Sequence, residues 1–124
     1  MPRIVKPRMV RAILIDAFKQ EVRDVQHNAS DSRDIYRLLS HDTMPVECVA
    51  CVDHKALQKR ESIFVDDEGL LKPCKAFFRL PGFDQFIAGN GLILGMDSEG
   101  DTMAATSHLE TIRALVSFLW DNQS

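Results

Sequence analysis

Two acidic stretches are the first candidates for chemistry in this chain of 124 residues. Asp66, Asp67 and Glu68 follow the apolar run IFV, and a second stretch, MDSEGD, spans residues 96–101. Clustered carboxylates can hold a cation, but calcium loops alternate their ligands over a longer segment than either stretch provides. Both stretches follow a predicted strand and contain a glycine, which is typical of a turn. We therefore expect a turn at VDDEG, with a positive φ angle at Gly69 and backbone hydrogen bonds to the Asp66 carboxylate.

The same residues have an alternative interpretation as a binding site, because binding residues often lie in exposed turns. The hypothetical binding residues are Asp66, Asp67, Glu68 and Asn90. A small enzyme or nucleotide-binding protein could have its site where the acidic turn meets the loop Gly89–Gly91. The glycines of GNGLILG precede a predicted strand, however, whereas a dinucleotide fingerprint places them between a strand and a helix.

The pattern CVAC places Cys48 and Cys51 three residues apart, followed by His54 and, further on, Cys74. Residues three apart on an extended strand point to opposite faces, so the spacing does not favour a zinc site. We expect these cysteines to be free, small apolar residues of the interior. The histidines are scattered among polar residues, and no nucleophile has a supported base. No catalytic residue, metal or cofactor is predicted, and an enzyme is the less favoured class.

The charge is distributed unevenly along the chain. The net charge is −3, yet the first fifteen residues carry +4 and no acidic residue. The basic residues of this segment are Arg3, Lys6, Arg8 and Arg11. We predict a flexible basic arm over residues 1–8 and a single domain over residues 9–124. The four basic residues are hypothetical nucleic-acid contacts, although a dedicated DNA-binding protein usually spreads its basic residues over a whole face.

The apolar run AILI stops at Asp16, which is too short for the apolar region of a signal peptide. No apolar stretch approaches the ~20 residues that a membrane helix needs. We therefore expect a cytoplasmic protein without a membrane partner.

Alternating apolar residues and turn signals predict strands at residues 9–15, 21–25, 46–52, 62–65 and 92–96, with DTMAA as a hairpin partner of the last. Helices are predicted at about 31–40 and 107–120, and a short helix near residues 76–79. The second long helix is predicted from an S-x-x-E capping box at Ser107 and Glu110 and the apolar stripe that follows it. Hairpins alternating with helices predict an α+β fold, with a mostly antiparallel sheet and two covering helices.

Four further segments are IYRLL at 35–39, FVDDEGLLK at 64–72, FFRLPG at 77–82 and AGNGLILG at 88–95. Taken together in this order, they resemble an uncharacterised family of small proteins carried by phages, plasmids and other bacterial mobile elements. The resemblance extends from about residue 12 to beyond residue 95. It implies no catalytic residue, because no function is known for the family, and the family's pattern does not feature the cysteines.

The resemblance predicts a non-enzymatic accessory protein of a mobile element that binds a host protein or a small molecule, including a role in counter-defence. An acidic body suits a protein that blocks a basic surface of its partner. Two alternatives remain: a small enzyme or nucleotide-binding protein with a site near Asp66, Glu68 and Gly89–Gly91, and a nucleic-acid accessory protein that uses the basic arm. A homodimer is left open.

Overall fold

A computed structural model describes residues 6–121 of the chain. Its strands are β1 (Met9–Asp16), β2 (Glu21–Asn28), β3 (Val49–Val52), β4 (Glu61–Asp66), β5 (Ala76–Arg79), β6 (Ile87–Ala88), β7 (Gly91–Met96), β8 (Thr102–Met103) and β9 (Ser117–Trp120). Its helices are α1 (Asp34–Leu39) and α2 (Leu109–Leu115), and a 3₁₀ turn spans Gly69–Leu71. The predicted α+β fold with a mostly antiparallel sheet is confirmed.

The main sheet has the strand order β2-β1-β7-β4-β3, and β8 pairs with the end of β7. A smaller sheet has the order β6-β5-β9. All strand pairs between residues 6 and 121 are antiparallel. The predicted hairpins β1–β2, β3–β4 and β7–β8 are confirmed. The two larger hairpins do not adjoin each other, because β7 lies between β1 and β4.

The two faces of the main sheet belong to separate hydrophobic cores, as the alternation of side chains along a strand requires. On one face, which we call the helix face, Leu14 and Leu92 pack with Ile35 and Leu39 of α1. On the other, the inner face, Ile13, Ile63 and Ile93 are fully buried in one row across three strands. This row packs with Phe78 of β5, with Leu80 directly after that strand, and with Ile112 of α2.

The predicted C-terminal helix over residues 107–120 is wrong in its second half. Helix α2 ends at Leu115, and the segment SFLW forms β9, which pairs with β5. The short helix predicted near residues 76–79 is also wrong, since AFFR is that strand β5. Both segments are rich in aromatic residues, which fit a sheet better than a helix, and each supplies the other with its hydrogen-bonding partner.

The predicted capping box is wrong as well. The residue before α2 is His108, which makes no side-chain capping hydrogen bond. The hydroxyl of Ser107 instead donates to the carboxylate of Glu61 on β4. Ser107 therefore bonds to Glu61, which is distant in sequence, instead of capping the helix as the S-x-x-E pattern predicted.

Two other elements are shorter than predicted. The helix predicted over residues 31–40 covers Asp34–Leu39, and the strand predicted over residues 46–52 covers Val49–Val52. Strand β3 begins at Val49 because its partner strand ends at Asp66, opposite that residue. Val46 therefore packs under α1 in the core of the helix face instead of continuing the strand.

Part of the predicted basic arm can be placed. Residues 1–5, including Arg3, lie outside the described residues. The carbonyl of Lys6 accepts a hydrogen bond from Ser30 at 3.2 Å, and the backbone N–H of Arg8 donates to Ser30 and Asn28. Lys6 and Arg8 thus contact the segment after β2. Neither helix within residues 6–121 has the length and apolar character needed to cross a bilayer.

Candidate functional site

The carboxylate of Asp66 anchors the acidic turn that follows β4. This side chain is 1% exposed, and its Oδ2 accepts a hydrogen bond from Nζ of Lys72 at 2.7 Å. Its Oδ1 accepts one from the backbone N–H of Glu68 at 2.9 Å, which confirms the predicted backbone hydrogen bond. Lys72 also donates to the carbonyl of Pro45 at 2.8 Å. Both carboxylate oxygens of Asp66 are therefore engaged within the protein.

The predicted positive φ angle at Gly69 is wrong. This glycine begins the 3₁₀ turn, and the glycines with positive φ are others. Gly69 is buried, and a Cβ atom there would lie 3.1 Å from the carbonyl oxygen of Ala88 and 3.4 Å from Cε of Met44. A glycine suits the close approach of the turn to β6, where a Cβ atom would press on Ala88 and Met44, and its backbone angles do not demand one.

Two leucines project from this anchored turn. Leu70 is 69% exposed and Leu71 is 86% exposed, more than any other large hydrophobic residue among the described ones. The N–H of Leu71 donates to the carbonyl of Glu68 at 3.0 Å, which closes the turn beneath them. Apolar side chains held outward on a fixed support are typical of an interaction surface.

Carboxylates lie beside the two leucines. Asp67 is exposed and Glu68 is half-buried. Glu68 raises the pKa of the Cys48 thiol, and Asp67 and the exposed Glu47 add to this effect. The thiol therefore stays protonated near neutral pH, which makes it a poor nucleophile and a poor metal ligand. The neighbourhood of the turn is negatively charged.

An apolar groove of about 280 Å³ adjoins the leucines. It lies on the inner face, between the edge strand β3 and the loop before β6. Its apolar walls are formed by Ala50, Val52, Val65, Leu70, Leu71, Phe86 and Ile87. We call the groove, the two leucines and the carboxylates of Glu47, Asp67 and Glu68 the Leu70–Leu71 surface.

The glycine loop before β7 approaches the acidic turn, but its polar side chain, Asn90, is bonded within the protein. The side-chain oxygen of Asn90 accepts the N–H of Ala17 at 2.8 Å, and its amide nitrogen donates to the carbonyl of Leu39 at 3.3 Å. A Cβ atom at Gly91 would lie 2.7 Å from the ring of Phe78. The loop is thus packed against side chains, and its amide ties the β1–β2 turn to the end of α1.

The basic residues of the N-terminal segment are also used internally. Arg11 lies within β1, and its guanidinium pairs with Asp24 at 2.9 Å and donates to the carbonyls of Ala105 and Ser107. It is therefore not part of a flexible arm. The guanidinium of Arg8 donates to a backbone carbonyl of β8 at 2.9 Å. Of the three hypothetical nucleic-acid contacts that the structure describes, Lys6 alone has an exposed side chain without a hydrogen bond or ion pair to the described residues.

The cysteines are free, as predicted, but they are not interior residues: Cys48 and Cys51 are exposed and Cys74 is half-buried. Within residues 6–121, no three metal-binding side chains lie close enough to hold an ion. A pocket of about 490 Å³ lies on the helix face beyond α1. Three of its acidic residues already accept hydrogen bonds within the protein: Asp53 from the hydroxyl of Ser62 at 3.0 Å, Glu61 from Ser107, and Asp97 from the N–H groups of Glu99 and Asp101.

A buried pair under α1 was missed by sequence reasoning. Nδ1 of His27 lies 3.0 Å from Oδ2 of Asp34, and Asp34 also accepts hydrogen bonds from Arg37 and from the N–H of Asn28. Burial lowers the pKa of His27, and the Asp34 carboxylate opposes this only in part. Burial raises the pKa of Asp34, but the hydrogen bonds from Arg37 and Asn28 outweigh it, and the pKa lies below its usual value. The pair connects β2 to α1.

Comparison of the chain with protein-family models, curated proteins and solved structures found no match. The resemblance to the mobile-element family therefore stays a prediction, and the site must be judged on its geometry.

The two leucines are the residues that sequence reasoning did not select. Leu70 and Leu71 are strongly exposed and belong to neither core. The signal lay in the segment EGLLKP, where two adjacent leucines between a charged turn and a proline fit neither a strand alternation nor a helical stripe.

Proposed function

We propose that this protein is a non-enzymatic binding protein that docks the Leu70–Leu71 surface on a basic region of a partner protein. The observation that carries the proposal is the exposure of two adjacent leucines on a turn fixed by a buried ion pair. The partner would present apolar side chains to the groove and basic side chains to the carboxylates around it.

The anchored turn lowers the cost of binding. Association loses roughly 4–15 kcal/mol of translational and rotational free energy, and each side chain or loop that must be ordered adds to it. Full burial of a leucine side chain contributes roughly 1.5–3 kcal/mol, so two leucines alone do not suffice. The adjoining apolar groove supplies further contact area, and the 3₁₀ turn already holds the leucines in one arrangement.

The charge of the surface selects the class of partner. Glu47, Asp67 and Glu68 lie together around Cys48, whereas the ammonium group of Lys72 is already paired with Asp66. A basic partner would be attracted at long range, and an acidic one would be repelled. The predicted resemblance would make this partner a protein of the bacterial host, such as a defence or replication factor with a nucleic-acid-binding surface.

The alternative of a small enzyme at the acidic turn has less support. Asp66 and Asn90 are fully engaged by partners inside the protein, and the thiol of Cys48 is held in its protonated form. Chemistry at this place would need a base that activates a nucleophile, whereas the carboxylate of Glu68 beside Cys48 keeps the thiol in its protonated form.

The test compares the proteins that tagged variants retain from a bacterial host extract. The double variant Leu70→Ser/Leu71→Ser removes the apolar contact, and Asp67→Lys/Glu68→Lys reverses the charge. We expect both to lose a protein that the parent chain retains, and we expect the parent to lose it as salt is raised. The captured protein is then purified and its dissociation constant is measured with each variant.

Met103→Ser is the matched control, because Met103 is 44% exposed on β8 and is not part of the Leu70–Leu71 surface. All variants should melt like the parent, since the altered side chains are exposed or half-buried. Equal retention by the parent, the control and both double variants would refute the proposed surface. Binding that survives charge reversal but not the leucine changes would refute the basic partner.

A further inference from the structure

A second pocket, of about 300 Å³, lies where four separate segments of the chain meet. Its walls come from the β1–β2 turn, the segment after α1, the segment before β5 and the end of β9. The lining residues are Phe18, Thr43, Pro73, Cys74, Lys75 and Trp120. None of them lines the groove of the Leu70–Leu71 surface. The volume is at the lower end of the range for small-molecule sites.

One wall is an aromatic ring held in a fixed position. Phe18 stacks on the imidazole of His41, with ring centroids 3.8 Å apart and an angle of 3° between the planes. Nδ1 of His41 in turn accepts the backbone N–H of Thr43 at 3.1 Å and lies 2.8 Å from its hydroxyl. The ring of Phe18 is therefore held in place before any ligand binds, because it rests on His41, which is itself held by Thr43.

The pocket is also lined by Trp120 and Lys75, which the small sheet holds near each other. Trp120 pairs with Ala76, and the N–H of Asp121 donates to the carbonyl of Lys75 at 2.8 Å. Trp120 remains 44% exposed. The exposed Lys75 has no side-chain hydrogen bond or ion pair to any of the described residues. The pocket thus combines two aromatic side chains with an uncommitted cation.

We propose that this pocket binds a nucleoside monophosphate, with the base stacked on Phe18 and Trp120 and the phosphate paired with Lys75. Every base has a flat π face, and stacking of one base on an aromatic side chain is worth roughly 1–3 kcal/mol. An ammonium group supplies the charge that a phosphate requires. Neither the acidic Leu70–Leu71 surface nor the packed glycine loop offers these two features together.

Trp120 is the single tryptophan of the chain, so its fluorescence reports on this pocket directly. The experiment titrates the full chain with AMP, adenosine and inorganic phosphate, and corrects for absorbance with free tryptophan amide. We expect AMP to quench Trp120 saturably, adenosine to bind more weakly, and phosphate alone to have little effect. Loss of one stacking contact in Phe18→Ala should weaken AMP binding roughly tenfold, within the range for one base.

Lys75→Gln should weaken the binding of AMP towards that of adenosine, whereas Lys59→Gln, at an exposed lysine outside the pocket, should change neither. If Phe18→Ala does not fold, Phe18→Leu keeps an apolar side chain and removes the π face. Absence of saturable quenching, an unchanged preference for AMP over adenosine in Lys75→Gln, or binding of single-stranded oligonucleotides without binding of AMP would each overturn the proposal. Leu71→Ser should leave the titration unchanged, which separates this site from the protein-binding surface.

Discussion

At the scale of single residues, Glu61 shows how a buried charge holds this fold together. Its carboxylate on β4 accepts the N–H groups of Gln58, Thr106 and Ser107, and the hydroxyl of Ser107. Burial raises the pKa of Glu61, but these hydrogen bonds outweigh it, and the pKa lies below its usual value. The carboxylate fixes the start of α2 against the main sheet, a contact that the sequence did not reveal.

We predict that Glu61→Gln destabilises the protein by about 1.5–3 kcal/mol, which is the range for a hydrogen bond to a charged group. The amide keeps the shape of the side chain but turns an NH₂ group towards donors that have no other acceptor. Urea denaturation of the variant and the parent measures the difference. Glu99→Gln, at an exposed acid in the β7–β8 turn, is the control and should have no effect. Equal midpoints for parent and Glu61→Gln would contradict this prediction.

Gly69 is a second residue at which substitutions should lower the stability of the fold. We predict that Gly69→Ala destabilises the protein by about 1 kcal/mol and Gly69→Val by about 1–3 kcal/mol, because added carbon atoms press on Ala88 and Met44. Thermal melts measure both variants, and the exposed neighbour Asp67→Ala should melt like the parent. A Gly69→Val variant as stable as the parent would show that the turn can move away from β6.

The sequence predicted part of the chemistry of this turn. The hydrogen bond from the Glu68 N–H to Asp66 was foreseen because an acidic residue at the start of a turn commonly accepts one. The sequence predicted the wrong reason for a glycine at position 69. A larger side chain there would press on Ala88, which lies about twenty residues further along the chain. The outward direction of Leu70 and Leu71 depends on the same long-range packing.

At the scale of elements, β9 decides whether the small sheet forms. It is the partner of β5 along four residue pairs, whereas β6 adds only two pairs on the other side. Local sequence favoured a helix through this segment, because Val116 and Leu119 continue the apolar stripe of α2. The strand forms because the backbone N–H and C=O groups of β5 are free to pair with it. The local sequence of β9 does not indicate that this partner strand is present.

We predict that a chain ending at Val116 loses cooperative unfolding. It lacks β9, so β5 keeps only its short pairing with β6, and Phe78 and Leu80 lose cover in the inner core. An isolated two-stranded pair is marginal in water. A chain ending at Asp121 is the control. Scanning calorimetry of both chains makes the comparison, and a native-like cooperative melt of the shorter one would show that β9 is dispensable.

At the scale of the whole molecule, three buried groups predict lower stability in acid. The pKa of His27 is lowered from 6.5, so the unfolded chain takes up this proton first and stability falls as the pH drops below about 6.5. The pKa values of Asp34 and Glu61 are lowered from 3.8 and 4.5. Asp34 and Glu61 contribute their full stabilisation above these unfolded-state pKa values. The stabilisation is lost as the pH falls through the folded-state pKa values, which are lower.

The measurement is the urea midpoint as a function of pH from neutrality to about pH 2, so that the range extends below the usual pKa values of the carboxylates. We expect a first decline below the usual pKa of histidine and a second, steeper one in the range of carboxylates. His27→Gln should remove the first decline and leave the second. A midpoint that rises on acidification would contradict the directions of all three pKa shifts.

The overall class of the fold was predictable, but its arrangement was not. Short apolar runs separated by turn signals identified the strands of three hairpins. The two strands of a hairpin are neighbours in sequence, so the turn and the strand residues together indicate that they pair. The insertion of β7 between β1 and β4 joins strands from different parts of the chain, and it is decided by the burial of Ile13, Ile63 and Ile93 in one row.

The central place of β7 has a consequence for the nascent chain. The ribosome releases the β1–β2 hairpin first, yet the strand that pairs with the free side of β1 follows much later in the sequence. Until β7 emerges, β1 presents an unpaired edge flanked by the apolar side chains of Ile13 and Ile15, and such edges recruit other strands. Synthesis that stalls before residue 91 would therefore leave a fragment dependent on chaperones or open to aggregation.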